Sequence, residues 1–172
     1  MTSERANAFE FYGPRSLAGP ELAPGDQAPD FTLISSKFES VSLSSFADKP
    51  LVISVVPSLD TGVCTRQTLR FNQEATALAE QASFITVSAD LPFAQARWCG
   101  SNDVSAIQTL SDHRAMSFGA SYGTLVPDFR IESRAVFVVG PDGMIRYAEY
   151  VPHIGHEPDY DAALAALHAT LA

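Results

Sequence analysis

The chain has 172 residues, 46% of them hydrophobic, enough for one globular domain that buries about 70% of the surface its unfolded form exposes. Eleven basic against 20 acidic side chains give a net charge of −9, which repels polyanions and anionic headgroups and argues against nucleic acid and membrane surfaces as partners. Two cysteines are too few for a disulfide scaffold and a domain of this size needs none, so the pair is either incidental or chemical. There is no apolar run of about 18 residues, and Met1 to Asn7 lack a basic segment followed by an apolar core. A cytoplasmic location is the expectation. In that reducing compartment a Cys-Cys bond is expected to be transient.

In chain order, Gly13-Pro14, Gly19-Pro20 and Pro24-Gly25 punctuate the first 29 residues. Phe9-Glu10-Phe11-Tyr12 and Arg15-Ser16-Leu17-Ala18 flank the first of these turns and predict an N-terminal hairpin. Short strands follow at 31–34 and 41–43. Leu51 to Val56 is a nearly unbroken apolar, β-branched run, as in a central parallel strand buried on both faces, and Pro57 stops it. A helical pattern runs from about Gly62 to Glu80 with Asp60 or Thr61 as N-cap, and strand returns at 84–88, completing one βαβ unit. Pro92 and Gly100 bracket a short helix carrying Trp98 and Cys99. A strand near 107–110 and a helix near 112–119 continue the alternation. Strands at 134–139 and 144–151 surround Gly140-Pro141-Asp142-Gly143, a hairpin signal that makes the sheet mixed, and Pro158-Asp159-Tyr160 opens a final amphipathic helix.

Pro57-Ser58-Leu59-Asp60-Thr61-Gly62-Val63-Cys64 places a cysteine in the first turn of the helix that follows the buried strand. Unpaired N–H groups and the positive end of the helix dipole favour thiolate there. Thr61, three residues upstream, is close enough for its hydroxyl to touch the sulfur, where it can donate to thiolate and accept from a protonated oxygen. Pro57 is rigid, lacks a donor and can shield one side of such a pocket. An isolated cysteine is more often a small buried hydrophobe. The spacing Pro-x-x-x-Thr-x-x-Cys shifts that balance.

This motif resembles the active-site motif of the peroxiredoxins, cysteine-based peroxidases. The similarity covers about residues 25 to 167, including Gly25-Asp26-Gln27-Ala28-Pro29-Asp30-Phe31, Phe71-Asn72, Ser88-Ala89-Asp90-Leu91-Pro92-Phe93-Ala94-Gln95, Cys99-Gly100 and Glu157-Pro158-Asp159-Tyr160. Together these resemble the bacterial thiol peroxidase branch, the atypical two-cysteine peroxiredoxins. The resemblance implies an α/β thioredoxin-like fold of the peroxiredoxin variety: a central mixed sheet flanked by helices, with an N-terminal hairpin at about 8–20, all one domain over residues 1–172. It implies Cys64 as the peroxidatic cysteine, Thr61 as its hydroxyl partner, Pro57 as shield, Arg134 as active-site arginine and Cys99 as the resolving cysteine of the same chain. The guanidinium of Arg134 keeps its charge at any working pH and suits both a thiolate and a breaking O–O bond.

The implied activity is reduction of hydrogen peroxide and organic hydroperoxides to water and alcohols, through a Cys64 sulfenic acid and a Cys64–Cys99 disulfide, with thioredoxin as reductant. A homodimer is implied, and no metal, flavin or haem. The rival is a low-turnover peroxide sensor that signals through its disulfide state. Trp98-Cys99-Gly100 is not a dithiol motif, since Asn102 stands where a second cysteine would be. His153-Ile154-Gly155-His156 lacks supporting ligands, so its histidines are expected on the surface. Ser133 and His153 are atypical of the branch, and the third cysteine some members carry before Ser88 is absent. Phe93, Trp98, Phe118, Tyr122 and Phe129 are expected in the core or a pocket wall.

Overall fold

The computed structural model describes residues 3–172. Its strands are β1 (Glu4–Glu10), β2 (Pro14–Ala18), β3 (Thr32–Ile34), β4 (Ser40–Ser42), β5 (Leu51–Val55), β6 (Ser83–Ser88), β7 (Gln108–Ser111), β8 (Leu125–Val126), β9 (Ile131–Glu132), β10 (Arg134–Val139) and β11 (Ile145–Val151). Its helices are α1 (Gly62–Ala77), α2 (Pro92–Ser101), α3 (Ser117–Tyr122) and α4 (Tyr160–Leu171). Seven strands form one sheet in the order β11-β10-β5-β6-β7-β3-β4. Strands β5, β6 and β7 are parallel; β10, β11, β3 and β4 join antiparallel. The expected mixed sheet flanked by helices is the thioredoxin-like arrangement.

Period-two alternation sorts the core into two layers. Leu51, Ile53 and Val55 of β5 and Ala135, Phe137 and Val139 of β10 face a layer containing Phe31, Phe118 and Tyr122. Val52 and Val56, with Val136 and Val138, face the opposite layer, built with Phe71 and Ala75 of α1, Trp98 of α2 and Leu164 and Leu167 of α4. Antiparallel pairing sets Ala135 against Val55, so the C-terminal end of β5 and the start of β10 meet at one edge. Whatever follows β5 therefore lies beside Arg134.

The hairpin forms, with its first strand longer than expected and ending at Glu10; Tyr12 (φ 51°) and Gly13 (φ 96°) make its turn in left-handed backbone. It joins a second sheet, β1-β2-β8-β9, absent from the sequence expectation. Strands β8 and β9 have two residues each, too few to display an alternation. The expected helix at 112–119 is also corrected. Residues 113–116 form a turn in which Met116 takes a left-handed φ of 52°, and the Asp112 carboxyl reaches past it to accept from the N–H groups of Phe118 (3.2 Å) and Gly119 (2.9 Å). The helix thus starts five residues late. Of the five aromatics expected inside, Trp98, Phe118 and Tyr122 are buried, whereas Phe93 (72% exposed) and Phe129 (42%) lie outside. No described helix is long and apolar enough to cross a membrane.

Candidate active site

Strand β5 delivers the chain to buried Pro57, and a short loop over Ser58–Thr61 turns it into α1. Thr61 is the N-cap by backbone conformation (φ −112°, ψ 150°), which puts Cys64 in the first helical turn, as its spacing requires. The thiol is fully buried and free. Buried residues of α1 are Cys64, Gln67, Thr68, Phe71 and Ala75, one stripe at helical spacing along the sheet.

Arg134 opens β10 on the face occupied by α1 and is fully buried, the opposite of a solvated strand end. Its Nη2 donates to Cys64 Sγ at 3.5 Å and to the Ile154 carbonyl at 2.7 Å, while Nη1 donates to Gln67 Oε1 at 2.8 Å. No carboxylate pairs with it among the described residues. Gln67 is itself oriented by donating to Ser54 Oγ at 2.8 Å, with Ser54 on the α1 face of β5. A buried cation is costly unless paired. Two of its three partners are neutral oxygens, leaving the sulfur as the atom able to carry the compensating charge.

The Ile154 carbonyl is held by the hairpin. Glu10 N–H donates to the Pro152 carbonyl (2.7 Å), and Ile154 N–H donates to the Glu10 carbonyl (3.1 Å). The loop is also fastened to α1 by the exposed pair Arg66–Glu157 (3.7 Å). His153 and His156 stack on each other at 4.5 Å, and His153 Nδ1 accepts from Gly155 N–H.

Of the five residues expected at the site, the structure joins Cys64 and Arg134 directly. Thr61 lies three residues before Cys64, but its hydroxyl donates to the Ser58 carbonyl (3.2 Å) rather than reaching the sulfur. Pro57 sits buried at the end of β5. Cys99 is on a different helix, in the last turn of α2, half-buried, with Sγ 3.6 Å from Thr109 Oγ1. Burial pushes its thiol up, against a smaller opposing effect of the Thr109 hydroxyl. It also borders a cavity of about 190 Å³ with Ser36, Ala96, Val104 and Thr109.

A family model described as Redoxin matches residues 23–164, most of the chain. The chain belongs to the redoxin family. A Bacillus subtilis protein described as a thiol peroxidase is 48% identical over 157 residues, 91% of this chain and 93% of the relative. An Oceanobacillus iheyensis thiol peroxidase is 50% identical over 155 residues, 90% and 94% of the two chains. These similarities place this redoxin in the thiol peroxidase branch. A solved peroxiredoxin-like protein from Aquifex aeolicus superposes with a TM-score of 0.85 at 35% identity, covering 92% of this chain and 93% of its own.

Sequence reasoning missed three contributors to this redoxin's site: Gln67, Ser54 and the Ile154 carbonyl. Gln67 did leave a signal, a long polar side chain three residues after Cys64 on the helix face that also carries Phe71 and Ala75. A backbone carbonyl leaves none.

Proposed function

We propose that this protein is a thiol-dependent peroxidase working as one domain over residues 1–172, with Cys64 as the attacking sulfur. The observation that carries the reading is the fully buried guanidinium of Arg134 beside Cys64 Sγ, with no carboxylate among the described residues to neutralise it. In the first step the Cys64 thiolate attacks one oxygen of a hydroperoxide. The O–O bond breaks, sulfur gives up two electrons and becomes sulfenic acid, and the leaving oxygen takes a proton to depart as water or alcohol. Arg134 stabilises the charge that passes from sulfur to the departing oxygen. The Thr61 hydroxyl spends its one proton on the Ser58 carbonyl, so its lone pairs are free to accept from the peroxide O–H. Pro57 closes one wall of the pocket without offering a competing donor.

In the second step Cys99 Sγ attacks the Cys64 sulfur, the S–O bond breaks and water leaves, giving an intrachain disulfide. The cysteines lie on separate helices, so this step requires local unwinding. The last turn of α2 is suited to it, being short and ending in Gly100 and Ser101, poor helix formers. Thioredoxin then supplies two electrons and two protons to restore both thiols. The same reading takes a homodimer as the assembly and the cytoplasm as the location.

Stopped-flow oxidation of the reduced protein by hydrogen peroxide and cumene hydroperoxide, followed by thioredoxin, tests the scheme. Rapid loss of the Cys64 thiol, one intrachain disulfide by mass spectrometry and repeated turnover are expected. A Cys64→Ser variant that keeps full activity would sink the proposal, and single turnover without recycling would favour a sensor.

A further inference from the structure

Asp90, between β6 and α2, is engaged directly by the loop that presents Cys64 and, through Ser88, by the helix that carries Cys99. Its Oδ1 accepts from the Ser58 hydroxyl (2.7 Å), and its Oδ2 accepts from Leu59 N–H (2.9 Å) and the Ser88 hydroxyl (2.8 Å). Ser58 and Leu59 belong to the loop that presents Cys64, and Thr65 of α1 donates back to the Leu59 carbonyl (3.1 Å). On the other side, fully buried Gln95 donates through Nε2 to Ser88 Oγ (3.0 Å) and to the Leu110 carbonyl (3.0 Å). Gln95 lies on α2, one helical turn before Cys99. The Asp90 carbonyl in turn accepts from buried Ser111 (2.6 Å). A continuous run of hydrogen bonds, Leu59 and Ser58 to Asp90 to Ser88 to Gln95, therefore ties the attacking cysteine's loop to the resolving cysteine's helix.

Resting on the reading of Cys64 and Cys99 above, we propose that Asp90 is a positioning residue that latches the Cys64 loop to α2 and whose release limits disulfide formation. The donors are all uncharged, and a carboxylate is the acceptor that satisfies three at once. An Asn at this position offers one neutral oxygen in place of two charged ones, so the three donors can no longer all be accepted and the tie between loop and strand weakens. The latch favours the peroxide-ready arrangement and opposes the unwinding that brings Cys99 to the sulfenic acid. It thus sets the time during which a second peroxide can over-oxidise Cys64.

The test separates the two steps in the full-length reduced protein, using stopped flow for Cys64 oxidation and quenched alkylation with mass spectrometry for disulfide formation. Asp90→Asn is expected to raise the disulfide-forming rate at least threefold and to raise in proportion the hydrogen peroxide concentration that over-oxidises half of Cys64. An unchanged or lower disulfide-forming rate overturns the proposal. General loosening is distinguished by a double-mutant cycle with Ser58→Ala, which removes the side-chain tie at the loop end and leaves the Leu59 N–H bond, and Gln95→Met, which cuts the helix end while keeping volume. Each single variant should speed the step, and the double should gain less than the product of the two because both weaken one run. Rate increases that multiply overturn the latch. If the wild type shows no peroxide-driven loss of the Cys64 thiol, the underlying peroxidase reading has failed, an outcome distinct from either result on the variants.

Discussion

Replacing Arg134 by Met removes the positive charge while keeping an unbranched side chain in the buried slot. Unit charges separated by the observed 3.5 Å attract by about 5 kcal/mol at an effective dielectric constant near 20. Each ~1.4 kcal/mol that acts in the transition state is a factor of ten in rate. Part of the attraction also stabilises the resting thiolate, so the full effect of about three and a half orders of magnitude is a ceiling. Loss of a single donor from a charge-stabilising site typically costs about 10²–10³-fold. The expected result is a drop of about 10²–10³-fold in the second-order rate constant for Cys64 oxidation by hydrogen peroxide. The assay is stopped flow at fixed pH, with circular dichroism confirming that the variant is folded, because the Gln67 and Ile154 oxygens each lose a donor. A folded Arg134→Met protein that reacts within tenfold of wild type would refute the electrostatic argument.

Gln67→Leu keeps Arg134 but removes its 2.8 Å acceptor, and a hydrogen bond to a charged group is worth about 1.5–3 kcal/mol; the same rate constant should fall about tenfold. Cys99→Ser should leave the first oxidation of Cys64 intact yet abolish the intrachain disulfide, so that mass spectrometry finds over-oxidised Cys64 and thioredoxin-coupled turnover falls at least tenfold. Glu132 is fully buried, and burial, then the charge and hydrogen bond of Asp112, hold its carboxyl well above its ordinary value of 4.5. A raised folded pKa gives stability that is complete below the unfolded value and is lost as pH rises toward the folded one. Glu132→Gln does not titrate and can keep the bond from Thr124 (2.5 Å). Its stability should therefore gain on the wild type by up to about 1.4 kcal/mol per pH unit above 4.5. Urea unfolding at pH 5, 6 and 7 checks this, and parallel curves would contradict it.

The sheet was legible because its central strands are buried on both faces: Leu51 to Val56, interrupted only by Ser54, and Ala135 to Val139 declare themselves through apolar runs. Helix α1 was legible through its stripe and Cys64 through its place in the first turn. The 112–119 segment misled because Asp112 is an acceptor for N–H groups six and seven residues onward, so the acid marks the helix start from a distance. Phe93 and Phe129 misled because aromatic character alone does not decide exposure. At the site, Arg134 and Cys64 are far apart in sequence, and only the antiparallel register of β5 and β10 brings them together. The ties of Gln67 to Arg134 and of the hairpin to Ile154 depend on packing that no short window of sequence contains.

The bonds between Glu10 and the 152–154 segment join the beginning of the chain to a stretch near its end. Such distant pairings carry a large loop-closure cost and tend to form late. Arg134 is thus fully seated only once that closure has occurred. On the proposed reading of the site, a partly folded chain would carry Cys64 without its organised guanidinium, and reactivity would await the native topology.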